Sequence, residues 1–157
     1  MKNAPTFRRK SVGNSIRFFL LQKLPLAFLA GVRVKAFDEL GTTTQLRFQW
    51  INQNPFRSMY FAAMHMAAEL ATGLLLFQYM DKENRFSMLL VNTQASFTQK
   101  AVGTIKFRCS EGKNAEAFIQ KVLSSNEGNL IELSVTAINE KGEEIASFKY
   151  TWSCKKK

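Results

Sequence analysis

The sequence predicts an α+β protein in which antiparallel strands surround one apolar helix. Two observations support this prediction. Residues 58–80 are rich in Ala, Met and Leu on every side of a helix, which is typical of a helix wrapped by other elements. Segments in which apolar and polar residues alternate lie on both sides of it, and this period of two is typical of half-buried strands. The 157 residues, 46% of them hydrophobic, can form a sizeable core.

The N-terminal part is predicted to begin with a flexible basic lead over residues 1–13, followed by a single domain over residues 14–157. An extra amphipathic helix is expected over residues 14–30, with Asn14 or Ser15 as its N-cap. A proline within this helix predicts a kink, and a glycine after it predicts its end.

Two half-buried strands are predicted next, over residues 32–37 and 45–50. The central helix is predicted to begin at Asn54, because a residue before proline favours the extended conformation of an N-cap. Ser58 is an alternative cap. The helix is expected to end near Met80.

The C-terminal half is predicted to supply the remaining strands and one short helix. Residues 86–91 form a continuous apolar run, which suits a strand covered on both faces, and this strand is expected to extend to residue 97. The later elements are a strand over 104–109, a helix over 114–125 capped by Asn114, and strands over 130–138 and 144–153 joined by a turn at 139–142.

Composition and charge narrow the class of protein. Fourteen Phe, two Trp and three Tyr argue against intrinsic disorder, and 22% charged residues argue against an integral membrane protein. The net charge of +10 lies at the ends: residues 1–57 carry +8, residues 58–154 carry −1 and the last three lysines carry +3. Because no nucleic-acid-binding motif accompanies this charge, we expect solvated basic ends and no nucleic-acid partner.

Location and cofactors follow from a few residues. Cys109 and Cys154 lie far apart in the sequence, without His or Cys at metal-ligand spacing, so we expect no disulfide, metal or bound cofactor and a cytoplasmic location. Basic residues near the N-terminus are followed by an apolar run, but this run is interrupted too often for a secretory signal peptide. Residues 58–80 are long enough to span a bilayer, but Glu69 at their centre would be costly in lipid, so we expect no membrane span.

The segment that leads into Glu69 resembles the central-helix segment of hot-dog-fold thioesterases. That family has an Asn, then His-Gly-Gly, and then an Asp or Glu on the helix. Asn54 lies fifteen residues before Glu69 and Tyr60 lies nine before it, the family's spacings for its Asn and its His. Residues 95–103 resemble its aromatic strand and the turn that follows. The resemblance extends over about residues 14–153 and is greatest to small phenylacetyl-CoA-type thioesterases and thioesterase-like domains of unassigned function.

The resemblance implies a hot-dog fold, in which an antiparallel sheet wraps around a long central helix, and hydrolysis of an acyl-CoA or related thioester. Glu69 would be the base or nucleophile, and Asn54 would orient the water or the carbonyl. The backbone N–H of Phe61 would stabilise the oxyanion, and the Tyr60 hydroxyl would replace the family's His. Such sites form across a dimer interface in this family, so a homodimer or a dimer of dimers is expected.

Three further residues are candidates for substrate binding. His65 lies on the same helix face as Glu69, one turn earlier, and would hydrogen-bond it, although a core or interface histidine is the simpler interpretation. Arg108 would contact the phosphates of coenzyme A, unless it lies on a solvated strand face. Ser58, the alternative cap of the central helix, would lie beside the substrate.

Other interpretations of the same residues remain open. Glu69 would be a structural residue if it were paired with an Arg or Lys. Phe61, which stands where the family has glycine, would narrow the site, so the alternative function is a catalytically silent hot-dog domain that binds an acyl or aromatic ligand. A third interpretation is a basic protein that associates through its ends with an anionic membrane or nucleic acid.

Overall fold

A six-stranded antiparallel sheet curves around one long helix in the computed structural model, which describes residues 4–157. The order of the strands in the sheet is β1-β2-β4-β5-β6-β3. In chain order the strands are β1 (Arg33–Phe37), β2 (Thr42–Arg47), β3 (Phe86–Phe97), β4 (Thr104–Cys109), β5 (Asn129–Ile138) and β6 (Glu144–Lys156).

The central helix has seventeen residues, of which ten are buried. Side-chain hydrogen bonds attach it to the sheet. Among them, Thr44 Oγ1 donates to the carbonyl oxygen of Ala67 at 2.6 Å, and Trp152 Nε1 donates to Thr72 Oγ1 at 3.0 Å. The five helices are α1 (Ala4–Lys10), α2 (Asn14–Lys23), α3 (Pro25–Ala30), the central α4 (Phe61–Phe77) and α5 (Gly112–Ser124), and a short 3-10 helix covers Trp50–Asn52.

Several helix boundaries differ from those that the sequence predicts. Helix α2 begins after Gly13, so neither Asn14 nor Ser15 is its N-cap residue. Helix α4 begins after Tyr60, because a turn fixed by the Asn54 side chain occupies the residues where the helix was expected. Helix α5 begins at Gly112, and its N-cap is Glu111, three residues before the predicted cap Asn114. The single kinked helix expected over residues 14–30 is instead two helices, because the helical conformation breaks at Leu24 before the proline, and the predicted end at Gly31 is observed.

The strands also differ from the prediction at two places. Strand β2 ends at Arg47, and Trp50 lies in the 3-10 helix with an exposed side chain. Strand β3 is not covered on both faces: Leu89 is 64% exposed and Val91 is also exposed, because alternate side chains point to opposite faces and no described element packs over these two. The strand also lies at the edge of the sheet, where it pairs only with β6 among the described strands.

Residues 4–10 and residues 155–156 are more ordered than the sequence predicts. Where a flexible lead is expected, residues 4–10 form α1, in which the Phe7 ring packs 5.7 Å from the Phe77 ring and Arg8 Nε donates to Gln78 Oε1. Residues 1–3 lie outside the described part of the chain. At the other end Lys155 and Lys156 extend β6 beside β3. These contacts join residues distant in sequence, so local composition did not indicate them.

Deleting residues 1–10 is therefore expected to lower the free energy of unfolding by about 2–4 kcal/mol, because it exposes the surface under Phe7 and leaves buried Gln78 without its Arg8 partner. The midpoint of urea denaturation measures the loss. Lys10→Ala, a change at an exposed position of the same helix, should shift the midpoint very little. An unchanged midpoint for the deletion would show that α1 does not stabilise the fold.

Candidate active site

The face of α4 that carries Glu69 packs toward β6. A Cβ atom built on Gly73, one turn further along the helix, would lie 3.7 Å from Glu69 Oε1 and 3.6 Å from Cζ2 of the Trp152 ring. The Glu69 carboxylate is therefore held over a small residue beside an indole ring. Among residues 4–157 it has neither an ion-pair partner nor a hydrogen-bond donor. The structural ion pair considered from the sequence is not formed there.

Burial raises the pKa of Glu69, and no nearby cation offsets this effect. A carboxyl group in such a place holds its proton more tightly than one in water. A raised pKa brings a carboxylate closer to the range in which a general base acts efficiently near neutral pH. The local electrostatics therefore suit proton transfer.

His65 is in contact with Tyr150 of β6. The His65 Nδ1 atom and the Tyr150 hydroxyl oxygen are 2.9 Å apart, and the ring has no hydrogen bond to Glu69. Burial lowers the pKa of His65, which favours the neutral imidazole. Burial and the charge of Glu69 raise the pKa of Tyr150, so its hydroxyl keeps its proton. Tyr150 was not predicted as a site residue, because the alternation of its strand indicates that it is buried but not which residue it contacts.

Aromatic rings cover the first half of the same α4 face. The Phe61 ring stacks on the Phe97 ring with centroids 4.3 Å apart, and the His65 ring meets the Phe148 ring edge to face at 5.0 Å. The Phe61 side chain nevertheless remains 51% exposed. This surface is apolar and suits an acyl or aromatic group.

The N-terminus of α4 has no side-chain cap. The N–H of Tyr60, the N-cap residue, donates to the carbonyl oxygen of Asn52 at 2.7 Å. The N–H of Phe61 has no acceptor among the described residues. A free N–H at the positive end of a long helix favours a negatively charged oxygen. The Tyr60 side chain is exposed and makes no capping hydrogen bond to the helix.

Asn54 and Ser58 stabilise the loop that leads into α4. Asn54 Oδ1 accepts from the N–H of Phe56 at 2.9 Å and of Ser58 at 3.3 Å, while Nδ2 donates to Ser58 Oγ at 3.1 Å and to the carbonyl oxygen of Met59 at 3.3 Å. Both polar atoms of Asn54 are thus engaged within the loop. The Asn54 side chain therefore positions the residues before the helix.

Arg108 lies away from this group. On β4 the buried side chains Ile105, Phe107 and Cys109 face α4, and Arg108 between them is exposed on the opposite face of the sheet. It lines a depression together with Lys35 and Lys106. The structure brings Glu69, His65 and Phe61 onto one helix face, but it does not bring Arg108 to that face.

Comparison with known proteins agrees with this architecture. A family profile described as "Domain of unknown function (DUF4442)" matches residues 14–154, and no curated protein matches the chain. A Pseudomonas aeruginosa protein of unknown function, described as a probable thioesterase, is 18% identical and superposes with a TM-score of 0.77 over 93% of this chain and 97% of its own. A Haemophilus influenzae thioesterase is 10% identical, with a TM-score of 0.68 over 90% of this chain and 89% of its own.

A Staphylococcus aureus thioesterase is 14% identical, with a TM-score of 0.66 over 83% of this chain and 98% of its own. Two solved variants of this protein each replace one residue by alanine, a glutamate in one and a glutamine in the other, and the glutamine lies fifteen positions before the glutamate. These similarities confirm the predicted hot-dog fold. Over the described residues no helix has the length and apolarity needed to cross a bilayer, and residues 4–157 contain no cluster of three His, Cys, Asp or Glu side chains suited to a metal ion.

Proposed function

Since the chain belongs to the DUF4442 family and has the hot-dog fold, we propose that it hydrolyses acyl thioesters, with an acyl-CoA as substrate. The observation that carries this proposal is the half-buried carboxylate of Glu69, which has no partner among the described residues and a raised pKa. The glutamate and glutamine substituted in the S. aureus thioesterase are separated by fifteen positions, as are Glu69 and Asn54, and this spacing supports the choice of Glu69.

The chemistry requires a base and a donor for the oxyanion. The Glu69 carboxylate takes a proton from water as the water oxygen attacks the thioester carbonyl carbon. The carbonyl oxygen becomes negative and is stabilised by the Phe61 N–H at the positive end of α4. When the tetrahedral intermediate collapses, the carbon–sulfur bond breaks and the departing thiolate takes the proton from Glu69. The products are a carboxylic acid and a free thiol.

Two copies of the chain are needed for this reaction. Glu69 and Phe61 are eight residues apart on one helix, which separates them by about 12 Å along its axis. One carbonyl group cannot contact both. A two-fold axis that places two α4 helices antiparallel would bring Glu69 of each copy toward the partner's Phe61. The exposed edge strand β3 with Leu89 and Val91 supports pairing of this kind, so we propose a homodimer, alone or within a dimer of dimers.

One observation favours a second candidate function. The Phe61 ring lies at the N-terminus of α4 and stacks on the Phe97 ring. Hot-dog thioesterases, which this segment resembles, have glycine at the position of Phe61. A ring in that position would restrict the approach of a thioester carbonyl to the N–H. The second candidate is therefore a hot-dog domain that binds an acyl or aromatic ligand on this surface without hydrolysing it.

The location of the protein is also a proposal. Cys109 and Cys154 are both buried free thiols. Burial raises the pKa of Cys109 to about 12 and that of Cys154 to about 11, so both stay protonated. Free thiols are typical of a reducing compartment, and we propose a cytoplasmic location.

A panel of short-chain, long-chain and aromatic acyl-CoAs tests the function. We expect turnover whose kcat/KM falls as the pH drops through the pKa of Glu69, because the base is then protonated, and this limb should lie at a higher pH than that of an ordinary Glu. Release of the free thiol measures the rate. No turnover of any member, together with tight binding of one, would contradict hydrolysis and favour the silent domain.

A further inference from the structure

The corner between α2 and α3 exposes an unusual amount of apolar surface. Residues 21–26 are all exposed, and the neighbouring side chains include Phe18, 63% exposed, Leu26, 68% exposed, and Leu29, also exposed. Ile16, Leu20 and Ala27 hold the two helices on the core. Exposed side chains of this size in one place mark an interaction surface more often than a solvated one.

This apolar corner lies beside a strongly basic surface. Residues 4–37 contain seven Lys or Arg and no acid. A depression next to α3 is lined by Phe28 and Leu29 from the corner and by four cations, with no acidic residue: Arg17, Arg33, Lys35 and Arg47. The apolar and the basic side chains therefore form one continuous surface.

Arg33 within this depression has no ion-pair partner among residues 4–157. Its Nη1 atom is buried and has no hydrogen-bond partner among the described residues. Burial and the neighbouring charge of Arg17 both lower its pKa, which means that the guanidinium is held in an unfavourable place. The Arg17 guanidinium itself lies over the Phe28 ring, 5.9 Å from its centroid. An anion in the depression would lie beside Arg17 and Arg33 and reduce the repulsion between them.

We propose that the α2–α3 corner and the adjoining depression dock onto a lipid bilayer that contains anionic phospholipids. The corner places Phe18, Leu26 and Leu29 among the acyl chains, and the depression binds a headgroup phosphate through Arg17 and Arg33. The charge of this surface favours an anionic bilayer over a second copy of the chain, because a two-fold contact would bring two basic surfaces without acidic residues together. A nucleic acid would match the charge but would leave the apolar side chains unused.

Binding of the full chain to vesicles tests the proposal. We expect co-sedimentation with vesicles of phosphatidylcholine and phosphatidylglycerol, weaker binding as salt is raised, and little binding to phosphatidylcholine alone. The variant Arg33→Gln/Arg47→Gln should bind at least about tenfold more weakly, since each cation near an anionic surface contributes about fivefold. Lys121→Gln, at an exposed position of α5, is the charge control and should bind normally.

The apolar side chains are tested separately by Leu26→Gln/Leu29→Gln, with Leu130→Gln as a control at an equally exposed site on β5. Loss of binding in the double variant but not in the control is expected. Wild-type binding by both double variants, or no binding by the wild type, would overturn the proposal. A smaller oligomer for Leu26→Gln/Leu29→Gln would show instead that copies of the chain cover the corner. Tighter binding of a DNA duplex than of anionic vesicles would also overturn it.

Discussion

Glu69→Gln is expected to reduce thioester turnover by about a hundredfold or more and to leave the melting temperature at neutral pH unchanged or higher. Glutamine keeps the size and the hydrogen-bonding capacity of the side chain but cannot accept a proton from water. The structure explains why the fold should not weaken. The carboxylate is half-buried without a partner in residues 4–157, so its replacement leaves no buried cation uncompensated.

The pH dependence of stability gives this prediction a second measurement. Because the pKa of Glu69 is raised in the folded protein, the folded state binds more protons than the unfolded state between the ordinary and the raised pKa. The contribution of Glu69 to the free energy of unfolding therefore falls as the pH rises through that window, and it stays lower at higher pH. Glutamine does not titrate, so the melting temperature of the variant relative to wild type should increase from acidic to neutral pH.

Glu132→Gln is the matched control, since Glu132 makes an exposed ion pair with Lys149 and the same chemical change there should affect neither observable strongly. A Glu69→Gln protein with full turnover and a melting temperature many degrees lower would refute the catalytic role of Glu69. It would show that the carboxylate stabilises the fold.

Local periodicity made the main elements predictable. An apolar surface on all sides of residues 58–80 indicated the buried helix, and alternation indicated β4, β5 and β6 to within a few residues. The start of α4 was not predictable, because Asn54 caps a turn with its own side chain rather than the helix. Whether Asn54 caps a turn or the helix depends on how the loop packs, and the local sequence alone does not determine this packing.

The candidate site was predictable in part. Glu69 is the only charge within residues 58–80, and that isolation identified it. Tyr150 and Trp152 contact the same helix face although they lie about eighty positions further along the sequence, and only folding brings them there. Arg108 was assigned to the site although the alternation of β4 already placed it opposite Phe107, on the outer face.

Phe61→Pro removes the proposed oxyanion donor, the N–H of residue 61, together with the ring. Proline has no N–H, and the first residue of a helix tolerates it. Tyr60 before it has φ −68° and ψ 133°, an extended conformation that a residue preceding proline favours. Phe61→Ala is the matched control, because it removes the same ring but keeps the N–H. We expect a loss of about a hundredfold or more for Phe61→Pro and a much smaller change for Phe61→Ala.

Mixed dimers of Glu69→Gln and Phe61→Pro chains should then recover about half of the wild-type turnover, although each variant alone is nearly inactive. If every site takes Glu69 from one copy and the N–H of Phe61 from the other, a mixed dimer has one site with both groups intact and one with neither. Co-expression with two different affinity tags, followed by purification through both, isolates this species.

If both groups came from the same chain, each site of the mixed dimer would lack one of them, and turnover would stay at the level of the single variants. A protein that sediments as a monomer while turning over substrate would also contradict the two-chain site. The recovery is expected because about 12 Å of helix separates the two groups within one chain, and an antiparallel pair of α4 helices removes that separation.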